Sequence, residues 1–201
     1  MDNLYRKSTT GAEDQELLLK SAQNKIPSDL SRDGRFLLYS ALDPKRKTDL
    51  WVLPLEGDPK PTPLVATEFD ESDGRFSPDG HFVAYVSNEN GRPEIYVREF
   101  SGTPAGKRWL VSKSGGTNPR WVREGKALLY LAADRTITQV DVNSSAAFQS
   151  SAFQSLFKLP SGATNFEVTS EGKRFLVAVP VEQDAQTPFT VVTNWQAVLK
   201  K

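Results

Sequence analysis

The feature that most constrains the fold of this chain is a glycine that recurs at a nearly constant interval along its 201 residues. An acidic residue precedes each of these glycines and an apolar run follows it; the four are Gly34, Gly80, Gly125 and Gly172. The intervals between them are 46, 45 and 47 residues. Four unrelated hairpins would not keep such a period, so the spacing predicts one structural unit repeated four times.

The second unit shows the local chemistry of the repeat most clearly. Its Ser-Pro-Asp-Gly motif at residues 77–80 has the composition of a type I turn whose glycine takes the left-handed conformation and closes a hairpin. The apolar run at residues 82–86 follows without alternation. Because a strand with apolar residues on both faces is buried on both faces, this run is predicted to lie in the core.

Each unit is predicted to contain four strands, named a to d, with the recurring turn between strands a and b. Strand b is expected to be buried, at residues 35–40, 81–87, 126–132 and 173–179. Strand c alternates more, at residues 49–53, 94–98, 137–142 and 189–193. Strand d is short and polar, at residues 63–66, 108–111 and 155–158. Four short strands in a period of about 45 residues predict an all-β protein, a β-propeller with four recognisable blades of four antiparallel strands, forming either a closed or a partial ring.

The ends of the chain carry incomplete units within one predicted propeller domain of residues 1–201. The blade units are expected at about 26–68, 69–113, 114–159 and 160–201, after a partial unit at 1–25. Residues 3–6 match the start of strand c, and residues 16–20 are predicted to form a spare strand d. Either residues 16–19 complete unit four beside residues 189–192 and close the ring, or the open ends drive self-association through exposed apolar faces.

The motifs of unit two resemble those of TolB-like, WD-repeat-like β-propellers: the turn at 77–80, the Phe-Val-Ala-Tyr run at 82–85, the Asn-Gly hairpin at 90–91 and the Glu-Ile-Tyr strand at 94–96. Residues 49–55 and the ending Val-Val-Thr-Asn-Trp at 191–195 resemble the propellers that form the C-terminal, sensor-like part of bacterial serine/threonine protein kinases. The sequence has no glycine-rich loop, HRD-like or DFG motif. The resemblance therefore implies a sensor segment rather than a kinase domain.

Composition excludes several classes of partner and site. The 25 Lys and Arg balance the 25 Asp and Glu, so no overall field favours nucleic acid or an anionic membrane. Without cysteine the chain has no disulfide and no thiolate ligand for a metal. It has no apolar run of about 18 residues, so no inserted membrane helix is expected. Its first residues lack the apolar core of a signal peptide. The chain is expected in the cytoplasm if Met1 is the native start, and outside it if the chain belongs to a membrane-anchored kinase.

Catalytic residues are poorly supplied. His81 is the single histidine, and its slot in the other units holds Arg35, Lys126 and Lys173. A solvated turn residue is therefore favoured over a catalytic base. The acidic stretch at residues 70–73 lacks the ligand spacing and central glycine of a calcium loop, so a solvated loop is favoured over a metal site. No catalytic residue, cofactor or metal site is predicted, and the chain is predicted not to be an enzyme.

Two further patterns are interpreted as structural. Aromatic residues recur at strand positions and are predicted to pack between blades rather than to stack on sugars or bases; they are Trp51, Tyr96, Trp109, Trp121 and Trp195. An Ala-Phe-Gln-Ser duplication at residues 147–150 and 152–155 is interpreted as slippage in the loop between strands c and d of unit three.

A charged slot lies five residues before each turn glycine and is the candidate ligand site. It holds Asp29, Arg75, Arg120 and Glu167. The next residue is apolar in every unit, so the charged side chains are predicted to point to the channel. Asp29 is then expected near Arg75, and Arg120 near Glu167. Structural ion pairs between blades are favoured over an anionic ligand held by the two arginines.

The loops suggest where a partner would bind. The links from strand b to c and from d to a share one face, and the b-to-c links vary most, so this face is predicted to bind a protein or peptide. The predicted function is a non-catalytic propeller module for binding or sensing, derived from a larger protein. The alternative is the accessory propeller of a serine peptidase or other hydrolase. A hydrolase that uses the central channel is disfavoured by the single histidine.

Overall fold

The computed structural model describes residues 2–11, 14–42, 47–57, 60–102, 106–143 and 148–180. Within these ranges the regular structure is β-strand, apart from one 3₁₀ turn at Arg123–Gly125. The strands form three four-stranded sheets and two two-stranded sheets, all antiparallel. The predicted all-β propeller architecture is therefore confirmed. None of the described helical structure has the length and apolar character needed to span a membrane.

Two strands near the N-terminus form the first small sheet, here called the N-terminal half-blade. It consists of β1 (Leu4–Arg6) and β2 (Glu16–Leu19). The strand predicted at residues 16–20 is thus present, and it pairs with β1. Its expected neighbours at residues 189–192 lie outside the described residues.

Three complete blades follow, and in each the strands lie side by side in chain order. Blade one contains β3 (Asn24–Leu30), β4 (Phe36–Leu42), β5 (Thr48–Pro54) and β6 (Thr62–Val65). Blade two contains β7 (Glu71–Phe76), β8 (Phe82–Ser87), β9 (Glu94–Glu99) and β10 (Arg108–Leu110). Blade three contains β11 (Gly116–Val122), β12 (Ala127–Ala132), β13 (Thr136–Asn143) and β14 (Gln149–Lys158).

The last described sheet, the C-terminal half-blade, has only strands a and b. These are β15 (Phe166–Val168) and β16 (Phe175–Val177). The strand predicted at 189–193 and Trp195 lie outside the described residues. The two half-blades are separate sheets in the structure, so the described strands do not close a ring.

The recurring turn forms as its sequence predicts where a serine begins it. The Ser77 hydroxyl bonds to the Asp79 carboxylate and accepts the backbone N–H of Phe82 at 2.9 Å, while Gly80 adopts a φ of +74°. Unit three has no serine at this position. There Arg123 and Glu124 take φ values of +54° and +53°, and the Arg123 N–H donates to the Ser170 carbonyl of the next turn at 2.7 Å.

The core lies between consecutive sheets rather than within any one of them. Between blades one and two, Leu38 and Leu50 pack with Tyr85 and Tyr96 in one buried cluster. Equivalent clusters lie between blades two and three, between blade three and the C-terminal half-blade, and between the N-terminal half-blade and blade one. The aromatic residues at the described strand positions contribute to these clusters, as predicted: Trp51, Tyr96, Trp109 and Trp121.

Strand b is buried in blades one to three, as predicted, but not in unit four. The prediction for residues 173–179 is wrong because no sheet covers the outer side of β16 among the described strands, and Leu176 is 74% exposed. The interpretation of residues 152–155 as loop is also wrong. Strand β14 already begins at Gln149, after Phe148, which is buried against Phe82 and Trp109 with ring centroids 5.6 and 5.2 Å away. Residues 144–147, where the first copy of the duplication begins, lie outside the described part of the chain.

Candidate functional site

The inner strands of consecutive sheets carry the predicted charged slot. Asp29 lies in β3, Arg75 in β7, Arg120 in β11 and Glu167 in β15. Because these are the first strands of consecutive sheets, the four side chains follow one another across the inner edge of the propeller. Arg120 is the most buried of them, with 9% of its side chain exposed.

Arg120 and Glu167 form the expected ion pair. Nη2 of Arg120 lies 2.9 Å from Oε1 of Glu167, and Nε lies 3.2 Å from Oε2, so the contact is bidentate. The Arg120 guanidinium also lies over the Phe166 ring. The hydrogen bonds from Arg120 lower the pKa of Glu167 below its ordinary value, against the opposing effect of burial.

Asp29 reaches blade two through the backbone rather than through Arg75. Its Oδ2 accepts the N–H of Phe76 at 2.8 Å, and its Oδ1 accepts the N–H of Leu30 at 3.0 Å. Burial raises the pKa of Asp29, although these hydrogen bonds and the nearby charges of Arg75 and Arg120 oppose the shift. Asp29 is predicted to lie near Arg75, and in the structure its bond to blade two is the hydrogen bond from the Phe76 N–H.

Arg75 forms its ion pair with Asp73, a residue that the sequence assigned to a solvated loop and not to the charged slot. Oδ1 of Asp73 lies 2.9 Å from Nη2 of Arg75 and 3.6 Å from Nη1 of Arg120. The register of β7 shifts between Ser72 and Arg75, and Asp73 adopts a φ of +49° there. This bulge places the Asp73 carboxylate between the two guanidinium groups.

These contacts link blade one to the C-terminal half-blade through charged side chains. The Arg75 guanidinium donates to the Ser28 carbonyl of blade one at 2.5 Å, and Asp73 then connects Arg75 to Arg120, which binds Glu167. The carboxylate of Asp73 already occupies the space in which two arginines would bind an external anion. The arrangement supports the structural interpretation of the slot, and the ligand interpretation stays a prediction that requires Asp73 to be displaced.

The acidic stretch at residues 70–73 is not the solvated loop that was predicted, because most of it belongs to β7. Glu71 is fully buried and accepts hydrogen bonds from the hydroxyl groups of Thr67 and Ser87 and from the N–H of Thr67. Burial raises the pKa of Glu71 above the ordinary value of 4.5. Across the part of the chain that the structure describes, no three histidine, aspartate or glutamate side chains form a group suited to a metal ion.

Glu71 should give the protein a pH-dependent stability of known sign. Because its pKa is raised in the folded state, folding takes up a proton between pH 4.5 and the raised pKa. The contribution of Glu71 to the free energy of unfolding should therefore increase as the pH falls through that window. Denaturant titrations measure the free energy of unfolding at pH 7 and at pH 5. When the pH is lowered from 7 to 5, this free energy should increase less, or decrease more, for Glu71→Gln than for the wild type. Equal pH responses of the two proteins would contradict the prediction.

The face formed by the b-to-c and d-to-a links contains a cleft of about 310 Å³. Blades two and three and the C-terminal half-blade all contribute to it, and its lining includes Arg92, Gly115, Thr117, Ala133, Arg135 and Thr164. This is the face on which the sequence reasoning predicted partner binding. Glu94 connects two residues that line this cleft. Its buried carboxylate accepts the N–H of Gly115 at 2.9 Å and pairs with Nε of Arg92 at 2.6 Å.

The opposite face contains a cleft of about 600 Å³ that sequence reasoning did not predict. It lies between the recurring turns of units one and two and includes Arg35, His81 and Phe100 in its lining. His81 is exposed, as expected for a turn residue, and its backbone N–H bonds to Asp79 at 3.1 Å. The turns that form this cleft have the motif that recurs in every unit. The motif therefore gives no sign of a cleft in the sequence.

Comparisons with known proteins place the fold. No protein-family model matches the chain. The structure is similar to TolB from Acinetobacter baumannii, with a TM-score of 0.64 and 18% sequence identity over 87% of this chain and 42% of that one. It is also similar to a proposed 6-phosphogluconolactonase from Bacteroides uniformis, with a TM-score of 0.58 and 16% identity over 88% of this chain and 57% of that one. The fold is a TolB-like β-propeller fold.

Peptidases also appear among the similar proteins. A puromycin-hydrolysing peptidase from Mycobacterium tuberculosis has a TM-score of 0.52 and 16% identity, over 70% of this chain and 24% of that one. The curated Tricorn protease homolog 1 of Streptomyces coelicolor is 33% identical over 96 residues, which is 47% of this chain and 8% of that protein. The chain thus spans a small part of the curated relative that it matches.

These similarities correct the prediction that the chain is not an enzyme. That prediction rested on the scarcity of histidines and on missing motifs. The same propeller fold occurs in a proposed lactonase and in a peptidase, so a propeller of this kind gives no ground for excluding hydrolase chemistry. Fold similarity at this level of identity assigns no reaction to the present chain.

Proposed function

We propose that this chain recognises an extended peptide or protein segment at the cleft between blade two, blade three and the C-terminal half-blade. The observation that carries the proposal is the cleft itself, which lies on the variable-loop face and is formed by three consecutive sheets. Its lining includes small residues, Gly115 and Ala133 among them. Variable loops on a rigid scaffold are common binding sites.

The rim of the cleft favours a peptide that carries a carboxylate. The side chain of Arg92 is half-exposed and uses its Nε for Glu94, and the guanidinium of Arg135 bonds to the Pro160 carbonyl. Both guanidinium groups are thus held at the cleft by contacts that use only part of their donors. An arginine has five N–H donors in a fixed fork, so each retains donors for a carboxylate.

A peptide array followed by fluorescence polarisation tests the proposal with two matched variants. Thr164→Trp adds bulk at the exposed rim of the proposed cleft, and His81→Trp adds the same bulk at the opposite cleft. We expect the peptides selected by the wild type to lose at least about tenfold in affinity with Thr164→Trp and to bind His81→Trp normally. The reverse pattern would move the site to the turn face and refute the proposal.

The accessory propeller of a hydrolase is a second candidate function. It is favoured by the 33% identity with a Tricorn protease homolog over 96 residues and by the fold shared with a peptidase. In that case the recognised peptide would be a substrate on its way to a hydrolase active site. An α/β-hydrolase encoded in the same polypeptide or beside it, together with peptide, ester or lactone hydrolysis, would support this function over simple binding.

A sensor role in a bacterial serine/threonine kinase is a narrower form of the first proposal, and it rests on the resemblance of residues 49–55 and 191–195. A kinase domain and a membrane span encoded upstream would support it and would place this chain outside the cytoplasm.

A further inference from the structure

We propose, on the basis of the function proposed above, that the peptide bound in the cleft of about 310 Å³ is an acidic segment that continues into a neighbouring groove. Arg92 lines both the cleft and the groove, so the two adjoin at its side chain. One carboxylate of the peptide binds Arg92 at this point, and a second binds Lys113 in the groove.

The groove, here called the inter-blade groove, lies between the outer parts of blades two and three and has a volume of about 660 Å³. Residues 110–113 of blade two form one wall, and Ser150 and Phe153 of β14 belong to the other. Phe148, directly before β14, packs against Trp109 with ring centroids 5.2 Å apart. This contact joins the two walls, and both walls belong to complete four-stranded sheets.

The exposed charged side chains along the cleft and the groove are all cationic among the described residues. Arg135 and Arg92 line the cleft, and Arg92 and Lys113 line the groove. Glu94 is the one carboxylate in these described linings, and it is only 1% exposed. Because the whole chain has equal numbers of acidic and basic residues, this surface is a local excess of positive charge. It is complementary to an acidic ligand.

Glu94 offsets one of the three cations and fixes it in place. Its Oε1 pairs with Nε of Arg92, while its Oε2 accepts hydrogen bonds from the Ser112 hydroxyl and the Gly115 N–H. Nη2 of Arg92 donates to the Lys113 carbonyl at 3.4 Å. Nη1 of Arg92 has no partner among the described residues, so its two N–H donors can bind a carboxylate of the peptide.

Two further carboxylates lie beside this surface without lining it. Glu89, next to the groove residue Asn90, pairs with Nη1 of Arg108 at 2.6 Å. Asp134 precedes Arg135 in the chain, and hydrogen bonds from Thr136 lower its pKa, so it stays ionised. Asp134 therefore weakens the attraction for an anion at the Arg135 end. The end of the surface at Lys113 is the more strongly positive one.

Lys113 is available to a carboxylate of the ligand. Its Nζ lies 3.9 Å from the centroid of the Phe153 ring, and no carboxylate of the described residues forms an ion pair with it. The ring has no acceptor that would use up the three donors of the ammonium group. Phe153 and Leu110 are 36% and 48% exposed in the same groove, so an apolar side chain next to the acidic residue would bury apolar surface there.

Replacing the acidic residues of the bound peptides tests the class of the ligand. The peptides selected on the array are resynthesised with Asn for Asp and Gln for Glu. We expect the selected peptides to be enriched in Asp and Glu. The amide versions should bind the wild type at least about tenfold less tightly in fluorescence polarisation at low salt.

Lys113→Glu tests the path of the peptide, and Lys126→Glu is its matched control. Both lysines are exposed, and both substitutions change the net charge equally, but Lys126 follows the turn glycine Gly125 on the opposite face. Lys113→Glu should lower the affinity for the acidic peptides at least about fivefold, whereas Lys126→Glu should leave it unchanged. The loss should be smaller for the amide versions, because they lack the carboxylate that the new glutamate repels.

The outcomes separate the class of the ligand from the location of the site. Peptides that lose affinity with Thr164→Trp but are not acidic would leave the proposed function intact and refute the acidic class. Acidic peptides on which Lys113→Glu and Lys126→Glu have equal effects would refute the path through the groove. Displacement of the acidic peptides by single-stranded poly(U) RNA would show general binding of polyanions and also refute the proposal. If the wild type binds no peptide, both the proposed function and the acidic ligand are wrong.

Discussion

Replacing Leu129 by alanine is expected to lower the free energy of unfolding by about 2–5 kcal/mol. Leu129 lies in the central strand β12 with no exposed surface, and it packs in the cluster that joins blade three to the C-terminal half-blade. The substitution removes three carbon atoms from a position that neighbouring strands on both sides hold in place. The resulting cavity cannot collapse easily, so the loss should exceed the transfer free energy of the missing atoms.

Leu110→Ala is the matched control, because Leu110 is also in a strand but is 48% exposed at the edge of blade two. Its effect should stay within about 1 kcal/mol. Urea denaturation of both variants, followed by circular dichroism, measures the difference. If Leu129→Ala costs no more than Leu110→Ala, the packing between blade three and the C-terminal half-blade is not as the structure has it.

The parts of the fold that could be predicted from sequence depend on local chemistry. The serine, aspartate and glycine of the recurring turn satisfy one another's hydrogen bonds within five residues, so the hairpin at residues 77–82 is specified without any other part of the chain. The apolar runs behind the turns identify strand b for the same reason. The period between the glycines then gives the blade, because each strand pair needs neighbouring sheets to bury both of its faces.

The parts that could not be predicted depend on contacts between units. Strand β14 extends back to Gln149 because Phe148 packs against Phe82 of blade two, and the sequence around residue 150 has no period that reveals this contact. The exposure of Leu176 was missed because its slot is apolar in every unit. Whether such a residue is buried depends on the presence of a following sheet, and the residues around Leu176 do not specify that sheet.

The candidate site shows the same division. The charged slot was identified from its spacing, and the pairing of Arg120 with Glu167 follows from the adjacency of their strands. The role of Asp73 was not predictable, because it depends on a bulge that changes the direction of its side chain within β7. That one change of register supplies Arg75 with a partner on its own strand and leaves Asp29 to bind the backbone of Phe76.

Arg120→Glu is expected to lower the free energy of unfolding by about 3–5 kcal/mol, because it places a carboxylate in a largely buried position between two others. In the wild type, the Arg120 guanidinium lies 2.9 Å from Glu167 and 3.6 Å from Asp73. Reversing its charge removes both attractions and introduces repulsion at a side chain that is only 9% exposed, although water reaches the Glu167 carboxylate. Arg120→Met is the control for lost charge at similar length, and it should cost less than Arg120→Glu because it adds no repulsion.

The charge swap Arg120→Glu/Glu167→Arg separates an ion pair from a ligand site. If the two residues stabilise the fold by pairing, the double variant should recover part of the loss, although Asp73 would still repel the new carboxylate.

Thermal unfolding in phosphate tests the ligand interpretation on the same proteins. The wild type should gain no more stability from phosphate than Arg120→Met does, because Asp73 already lies between Arg75 and Arg120. A phosphate-dependent stabilisation that Arg120→Met abolishes would show instead that an anion can displace Asp73. If Arg120→Glu is as stable as the wild type, the slot is merely exposed to solvent and the prediction is wrong.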